Sequence, residues 1–263
     1  MNLQIFQESH IGTRRRNEDR VGHWSTAGAV LMAVADGMGG HPDGDRAAQS
    51  VLQTLAELFL RQATPELPLP GGFLERAFRE AHSRLLADSA ESHEDENPRT
   101  TLVACVAQNG VLWWAHSGDS RLYLVRGGEL VLRTRDHSFA ELNEALHQGG
   151  DPDEEVPANI LFSCLGSTGR PLIDRGGPWS LAPGDRVLLC SDGLWGPLSE
   201  LAVLRGLQLG EMPQVVPALV QRALAAAGSS SDNVTALGCL CLPAPSSGVA
   251  PPDQLSNVLS QER

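Results

Sequence analysis

Apolar residues recur along this chain in two alternating rhythms. Residues 1–9 and 20–35 carry β-branched and apolar side chains without helical spacing, which predicts strands, and the second stretch ends at Asp36-Gly37. From Asp43 the rhythm changes. Ala47, Ala48, Val51, Leu52, Leu55, Leu58 and Phe59 fall at i, i+3, i+4, i+7 spacing, which predicts an amphipathic helix with Asp43 as its cap. The PELPLPGG break then precedes a second predicted helix, from Phe73 to about Ala90. Next come TTLVACVAQ, VLWWAHSG, SRLYLVR and ELVLRT, separated by Asn109-Gly110, Gly118-Asp119 and Gly127-Gly128. Links this short predict that consecutive strands pair as antiparallel hairpins. Further helices are expected over 138–148 and 213–227, further strands over 186–191 and in NVTALGCLCL, and an acidic, Pro-containing loop over 149–158.

Strands and helices thus come in blocks, which predicts antiparallel sheets covered by helices rather than alternating βαβ units. Residues 1–242 read as one domain, since no long compositional shift divides them. From Pro243 onward, residues 243–263 lack apolar periodicity and read as a disordered tail.

Composition narrows the setting. The chain has 263 residues, enough for a substantial core, and a formal net charge of −12 with every lysine-or-arginine position an arginine. So acidic a chain is poorly suited to bind nucleic acid nonspecifically, but it can concentrate cations. Neither a signal-peptide pattern nor an apolar run of about 20 residues is present, so no membrane span is expected. Cys105, Cys164, Cys190, Cys239 and Cys241 are odd in number and lack CxxC pairing, which predicts reduced, buried thiols in a cytoplasmic protein.

Candidate chemistry gathers where apolar runs end on acids. VLMAVADGMGG (30–40) and VLLCSDGLWG (187–196) each run into Asp-Gly, and Asn17-Glu18-Asp19 and Ser231-Asp232-Asn233 also lie at strand edges. One Asp-Gly is an ordinary turn; four acidic strand edges ask for more. Carboxylates collected on the rim of a sheet would repel one another unless a cation sat between them. Their all-oxygen character favours Mg²⁺ or Mn²⁺ over zinc. A glycine after Asp36 lets the backbone approach closely, so its carbonyl can face an ion or a water. A nucleotide cradle is disfavoured, because Gly37-Met38-Gly39-Gly40 matches neither phosphate-binding glycine pattern.

Seven segments occur in a definite order between residues 12 and 235. They are Arg14-Arg15-Arg16-Asn17-Glu18-Asp19, Ala35-Asp36-Gly37-Met38-Gly39-Gly40-His41, Thr100-Thr101-Leu102, Ser117-Gly118-Asp119-Ser120-Arg121, Asp136-His137-Ser138, Ser191-Asp192-Gly193-Leu194-Trp195 and Ser231-Asp232-Asn233-Val234-Thr235. In that order they resemble the protein phosphatase 2C-like, metal-dependent (PPM) Ser/Thr phosphatases in their bacterial form. The resemblance implies an α+β fold, an αββα sandwich of two antiparallel sheets packed face to face and flanked by helix pairs. It implies hydrolysis of phosphoserine and phosphothreonine monoesters in proteins by water activated between metals, with two or three Mn²⁺ or Mg²⁺ ions.

Carried over residue by residue, the resemblance makes Asp36 the bridging ligand, with the Gly37 carbonyl on one metal. Asp192 and Asp232 complete the other metal's shell, while Glu18 and Asp19 hold the second metal directly or through its waters. Asp119, with Asp192, is placed at a third metal, and Arg14 at the phosphate. Eukaryotic relatives carry a proton-donating histidine where this chain has Met38, which leaves His41 or a metal-bound water as the candidate donor. Phosphorylated proteins and an opposing Ser/Thr kinase are the implied partners of a monomer. The alternative, a non-catalytic phosphoprotein-binding domain of the same fold, would be marked by loss of Asp36, Asp192 or Asp232, and all three are present.

Overall fold

The computed structural model describes residues 2–38, 43–92, 97–146, 160–208 and 210–243. Ten strands are found among them: β1 (Asn2–His10), β2 (Asp19–Ser25), β3 (Ala29–Asp36), β4 (Leu102–Gln108), β5 (Val111–Ser117), β6 (Arg121–Arg126), β7 (Glu129–Arg133), β8 (Asp174–Ser180), β9 (Arg186–Cys190) and β10 (Val234–Leu242). Six α-helices accompany them: α1 (Gly44–Gln62), α2 (Pro70–Ser92), α3 (Phe139–Leu146), α4 (Asp192–Trp195), α5 (Glu200–Leu207) and α6 (Met212–Ala227). The strands form two five-stranded antiparallel sheets, ordered β1-β10-β9-β6-β7 and β2-β3-β4-β5-β8.

Side-chain alternation explains how the sheets stack. Met32 and Val34 on β3, Val103 and Cys105 on β4, Leu122 and Leu124 on β6, and Val187 and Leu189 on β9 share one apolar layer between the sheets. Their neighbours in sequence point the other way. Leu31, Ala33, Ala35, Leu102 and Ala104 meet α1 and α2, while Tyr123, Leu188, Cys190 and Ala236 meet α4, α5 and α6. Central strands covered on both faces read as continuous apolar runs, which is why VLMAVA and VLLC lack polar alternation. The result is the αββα sandwich expected above. All five cysteines are free and buried, and among the described residues no helix is long and apolar enough to cross a membrane.

Several local expectations change. The 20–35 stretch is two strands, β2 and β3, joined by a tight turn in which the Thr26 amide donates to the Ala29 carbonyl at 2.9 Å. Asp43 precedes α1, but its backbone is left-handed (φ 58°) and its side chain makes no capping bond; it pairs instead with Arg46 at 2.7 Å. The hairpin expected at Gly118-Asp119 is absent. β4 pairs with β5 and β6 with β7, but β5 and β6 belong to different sheets, so this short link crosses the sandwich. Gly118 allows the crossing at φ 110°, with Thr101 packed against it. β8 escapes the apolar pattern because DRGGPWS is an edge strand, and α5 was hidden by its length. The loop expected at 149–158 and the tail from 244 lie outside the described residues.

Candidate metal centre

Strand direction brings the acids together. β3 ends at Asp36 and β2 begins at Asp19, its cross-strand partner. β9 ends at Cys190, two residues before Asp192, and β10 begins two residues after Asp232. Asp119 sits in the link that crosses from β5 to β6. All these chain ends open on one end of the sandwich, so the two apolar-run-to-Asp-Gly motifs are ends of strands from opposite sheets rather than repeated units.

A cleft of about 680 Å³ results, and Arg14, Glu18, Asp36, Gly37, Met38, Asp119, Asp192 and Asp232 all line it. Arg15, Arg16 and Asn233 are among the other residues that line it. Asp19 lies behind the cleft wall, 3 % exposed, where its Oδ2 accepts a 2.7 Å hydrogen bond from the Ser191 hydroxyl and its Oδ1 has no partner. His41 lies outside the described residues.

The acids outnumber Arg14, Arg15 and Arg16, which line the same cleft. Arg14 donates from Nη2 to Asp232 Oδ2 at 2.6 Å. Burial, followed by repulsion from Asp19 and Asp192, holds the Asp36 carboxyl well above the usual range. Burial pushes Asp19 up to about 7, and burial with the neighbouring Asp192 pushes Asp119 well up. Asp192 is raised by burial and then by Asp232, and Glu18 by burial and then by Asp45. Asp36 and Asp192 stand close enough for each to perturb the other's carboxyl. A site that must either protonate its carboxylates or neutralise them, and that offers oxygen donors, fits Mg²⁺ or Mn²⁺.

Backbone and hydroxyl groups hold this cluster. A Cβ on Gly37 would lie 2.2 Å from the Gly44 carbonyl oxygen, so only glycine lets α1 approach β3 here. Asp36 is fixed from β4: its carbonyl accepts from the Thr101 amide and the Thr100 hydroxyl, both at 2.9 Å, and its amide donates to Thr101 Oγ1 at 3.1 Å. Asn233 fastens the Arg14–Glu18 segment to the start of β10. Its Oδ1 accepts from the Glu18 amide at 2.8 Å, and its Nδ2 donates to the carbonyls of Ile11 and Arg16 at 2.8 and 2.9 Å. The Asn233 amide also donates to Asp232 Oδ1 at 2.8 Å. Thr100, Thr101 and Ser191 were not among the predicted site residues, although hydroxyls adjoining acids at the end of apolar strands are the signal that points to them.

His137 stands apart from the cleft. His116, His137 and Asp174 bring ligand-type atoms within 4.8 Å of one another. The Gly118 amide donates to His137 Nδ1 at 3.3 Å, however, which leaves the proton of the neutral ring on Nε2, facing Asp174 at 3.5 Å. Burial lowers the pKa of both histidines, and the group reads as a structural histidine–carboxylate contact.

Fold and site together define an αββα sandwich protein with an acidic, cation-accepting cleft at one end. Residues 6–226 match the family described as protein phosphatase 2C, and the chain belongs to that family. Among its relatives, the Ser/Thr protein phosphatase PstP of Mycobacterium tuberculosis is 36 % identical over 231 residues, covering 84 % of this chain and 41 % of the relative. The chain therefore spans about two fifths of that protein's length. A putative protein phosphatase 2C-type of Streptococcus pyogenes is 30 % identical, covering 75 % of this chain and 81 % of the relative. The crystal structure of the PstP catalytic domain in complex with two manganese ions superposes with a TM-score of 0.76 at 33 % identity, covering 92 % of this chain and 99 % of that one. Staphylococcus aureus Stp1 superposes with a TM-score of 0.82 at 25 % identity, covering 92 % and 96 % of the two chains.

Proposed function

We propose that this chain is a metal-dependent Ser/Thr protein phosphatase acting on phosphoserine and phosphothreonine monoesters. The observation that carries the reading is the convergence of Glu18, Asp36, Asp119, Asp192 and Asp232 with Arg14 in one cleft. Asp36, Asp192 and Asp232 would hold one divalent cation, Asp36, the Gly37 carbonyl, Glu18 and Asp19 a second, and Asp119 with Asp192 a third. Cations bound there supply Lewis acidity and the activation of water near neutral pH.

The remaining work falls to side chains. Arg14 uses Nη2 on Asp232, which leaves Nε and Nη1 of its planar fork for phosphoryl oxygens. Asp232 thereby orients the guanidinium toward the cleft. His41 is our candidate proton donor to the leaving serine or threonine oxygen, because the thioether of Met38 has no proton to give. Five buried free thiols support a reducing, cytoplasmic setting. Phosphorylated proteins and the kinase that modifies them would be the partners of a monomeric enzyme.

The test is hydrolysis of p-nitrophenyl phosphate and of a phosphothreonine peptide with Mn²⁺, with EDTA and by Asp36→Asn. Turnover in Mn²⁺ that both EDTA and the substitution abolish is expected. Activity indifferent to EDTA would overturn the metal-dependent reading, and peptide binding without turnover would identify a non-catalytic binding domain.

A further inference from the structure

One set of side chains ties together two acids that reach the cleft from different places. Asp119 lies in the link between the sheets, and Asp192 opens α4. Next to Asp119, Arg121 is nearly buried and gripped by Asp136 through two bonds, Nε to Oδ1 at 2.8 Å and Nη2 to Oδ2 at 2.7 Å. Its Nη1 donates to the Tyr123 hydroxyl at 3.2 Å. The guanidinium carbon lies 3.4 Å from the centre of the Trp195 ring. Trp195 closes α4, and its Nε1 donates to the main-chain carbonyl of Asp119 at 3.0 Å.

Each link restricts the next. The bidentate pair fixes the plane of the guanidinium, and the stacked guanidinium fixes the plane of the indole. The indole N–H then fixes the Asp119 backbone and, by bonding the carbonyl, leaves the carboxylate free to face the cleft. Asp136 neutralises Arg121, so that charge does not draw Asp119 away. Buried ion pairs are weak devices for stability but good ones for geometry.

We propose that Arg121 and Trp195 are positioning residues that set Asp119 against Asp192 so that the two carboxylates can share a cation. The proposal rests on the metal-binding reading of the cleft. It differs from that reading in assigning work to two residues that touch neither metal nor substrate.

Calorimetric titration of the full chain with Mn²⁺ tests it without recourse to activity. Trp195→Phe keeps an aromatic ring beside Arg121 but removes the indole N–H together with part of the indole's bulk. The expected result is that the weakest Mn²⁺ binding step loses about tenfold in affinity while tighter steps are unchanged. Asp119→Asn should remove the same step, and adding Trp195→Phe to it should change nothing more. Arg121→Lys, which keeps the charge but loses the fork and the stack, should reproduce the Trp195→Phe effect and serves as the second variant if Trp195→Phe folds poorly. Unchanged Mn²⁺ binding in the folded variants would overturn the proposal alone, as would weakening of every step equally or a further loss in the Asp119→Asn background. A wild-type chain that takes up no Mn²⁺ would overturn the cleft reading and this proposal with it.

Discussion

Asp19 and Asp36 are cross-strand partners at the last rung of the β2–β3 ladder. Like charges opposite each other on paired strands are destabilising, and Asp192 adds its charge to both from the other sheet. Tolerance of this arrangement depends on what neutralises it, a proton at low pH or a cation at neutral pH.

The first prediction follows from the sign of these shifts. Asp19 is raised from an ordinary 3.8 to about 7, and Asp36 and Asp119 rise well above the ordinary value. The folded chain therefore holds protons that the unfolded chain has already released. Stability from this source is complete below about pH 4 and is lost as pH rises through the folded values. In EDTA, Tm should fall by roughly 5 °C or more between pH 5 and pH 8. Saturating Mn²⁺ should restore most of the loss at pH 8 and little at pH 5. Scanning calorimetry decides the matter, and a Tm in EDTA that stays flat or rises over this range contradicts the argument.

Arg14 has a planar fork with one nitrogen committed to Asp232. Arg14→Lys keeps the positive charge but cannot present two parallel donors to a phosphoryl group. On a phosphothreonine peptide, kcat/KM should drop about 10- to 100-fold, and Arg14→Ala should cost more. Lysine within twofold of wild type in steady-state kinetics would remove Arg14 from phosphate recognition.

Gly193 follows Asp192, and a Cβ there would lie 1.9 Å from the carbonyl oxygen of Asn233. The obstacle is backbone, which cannot swing aside as a side chain would. Gly193→Ala is therefore expected to destabilise the fold by about 3 kcal/mol, read as a lowered urea midpoint with unchanged m-value. Because the contact joins the chain at Asp192 to the chain beside Asp232, Mn²⁺ affinity should weaken too. An alanine variant as stable as wild type would show that the two backbones have room to separate here.

Much of this site was legible because its acids interrupt apolar strands, and an acid at the end of such a strand has to reach the rim. Asp36, Asp192 and Asp232 are of this kind. Asp119 was legible only by resemblance: Gly118-Asp119 has the composition of a hairpin turn, and local chemistry does not distinguish a turn that pairs two strands from one that crosses between sheets. That distinction depends on which sheet β6 joins, a tertiary fact. β8 was missed because an edge strand can do without apolar alternation, and DRGGPWS has none. The Arg121–Trp195 contact was invisible for another reason. Its members are 74 residues apart and meet only because β6 lies beside β9, the strand that leads into α4.

Met38 lines the cleft one residue past Gly37, its amide held by the Arg99 carbonyl at 3.0 Å. A thioether cannot protonate a leaving group, and serine and threonine oxygens leave as strong bases. p-Nitrophenolate is a weak base and needs no such help. A proton donor should therefore matter for one substrate and not the other, which turns substrate choice into the assay. If His41 is the donor, His41→Ala should lower kcat on a phosphothreonine peptide about 100-fold and change turnover of p-nitrophenyl phosphate little. Met38→His in the same chain should recover part of the peptide rate, because it returns a proton to the cleft wall itself. Equal slowing of both substrates would mean that His41 acts on the site's structure, and no slowing of either would remove it from the reaction.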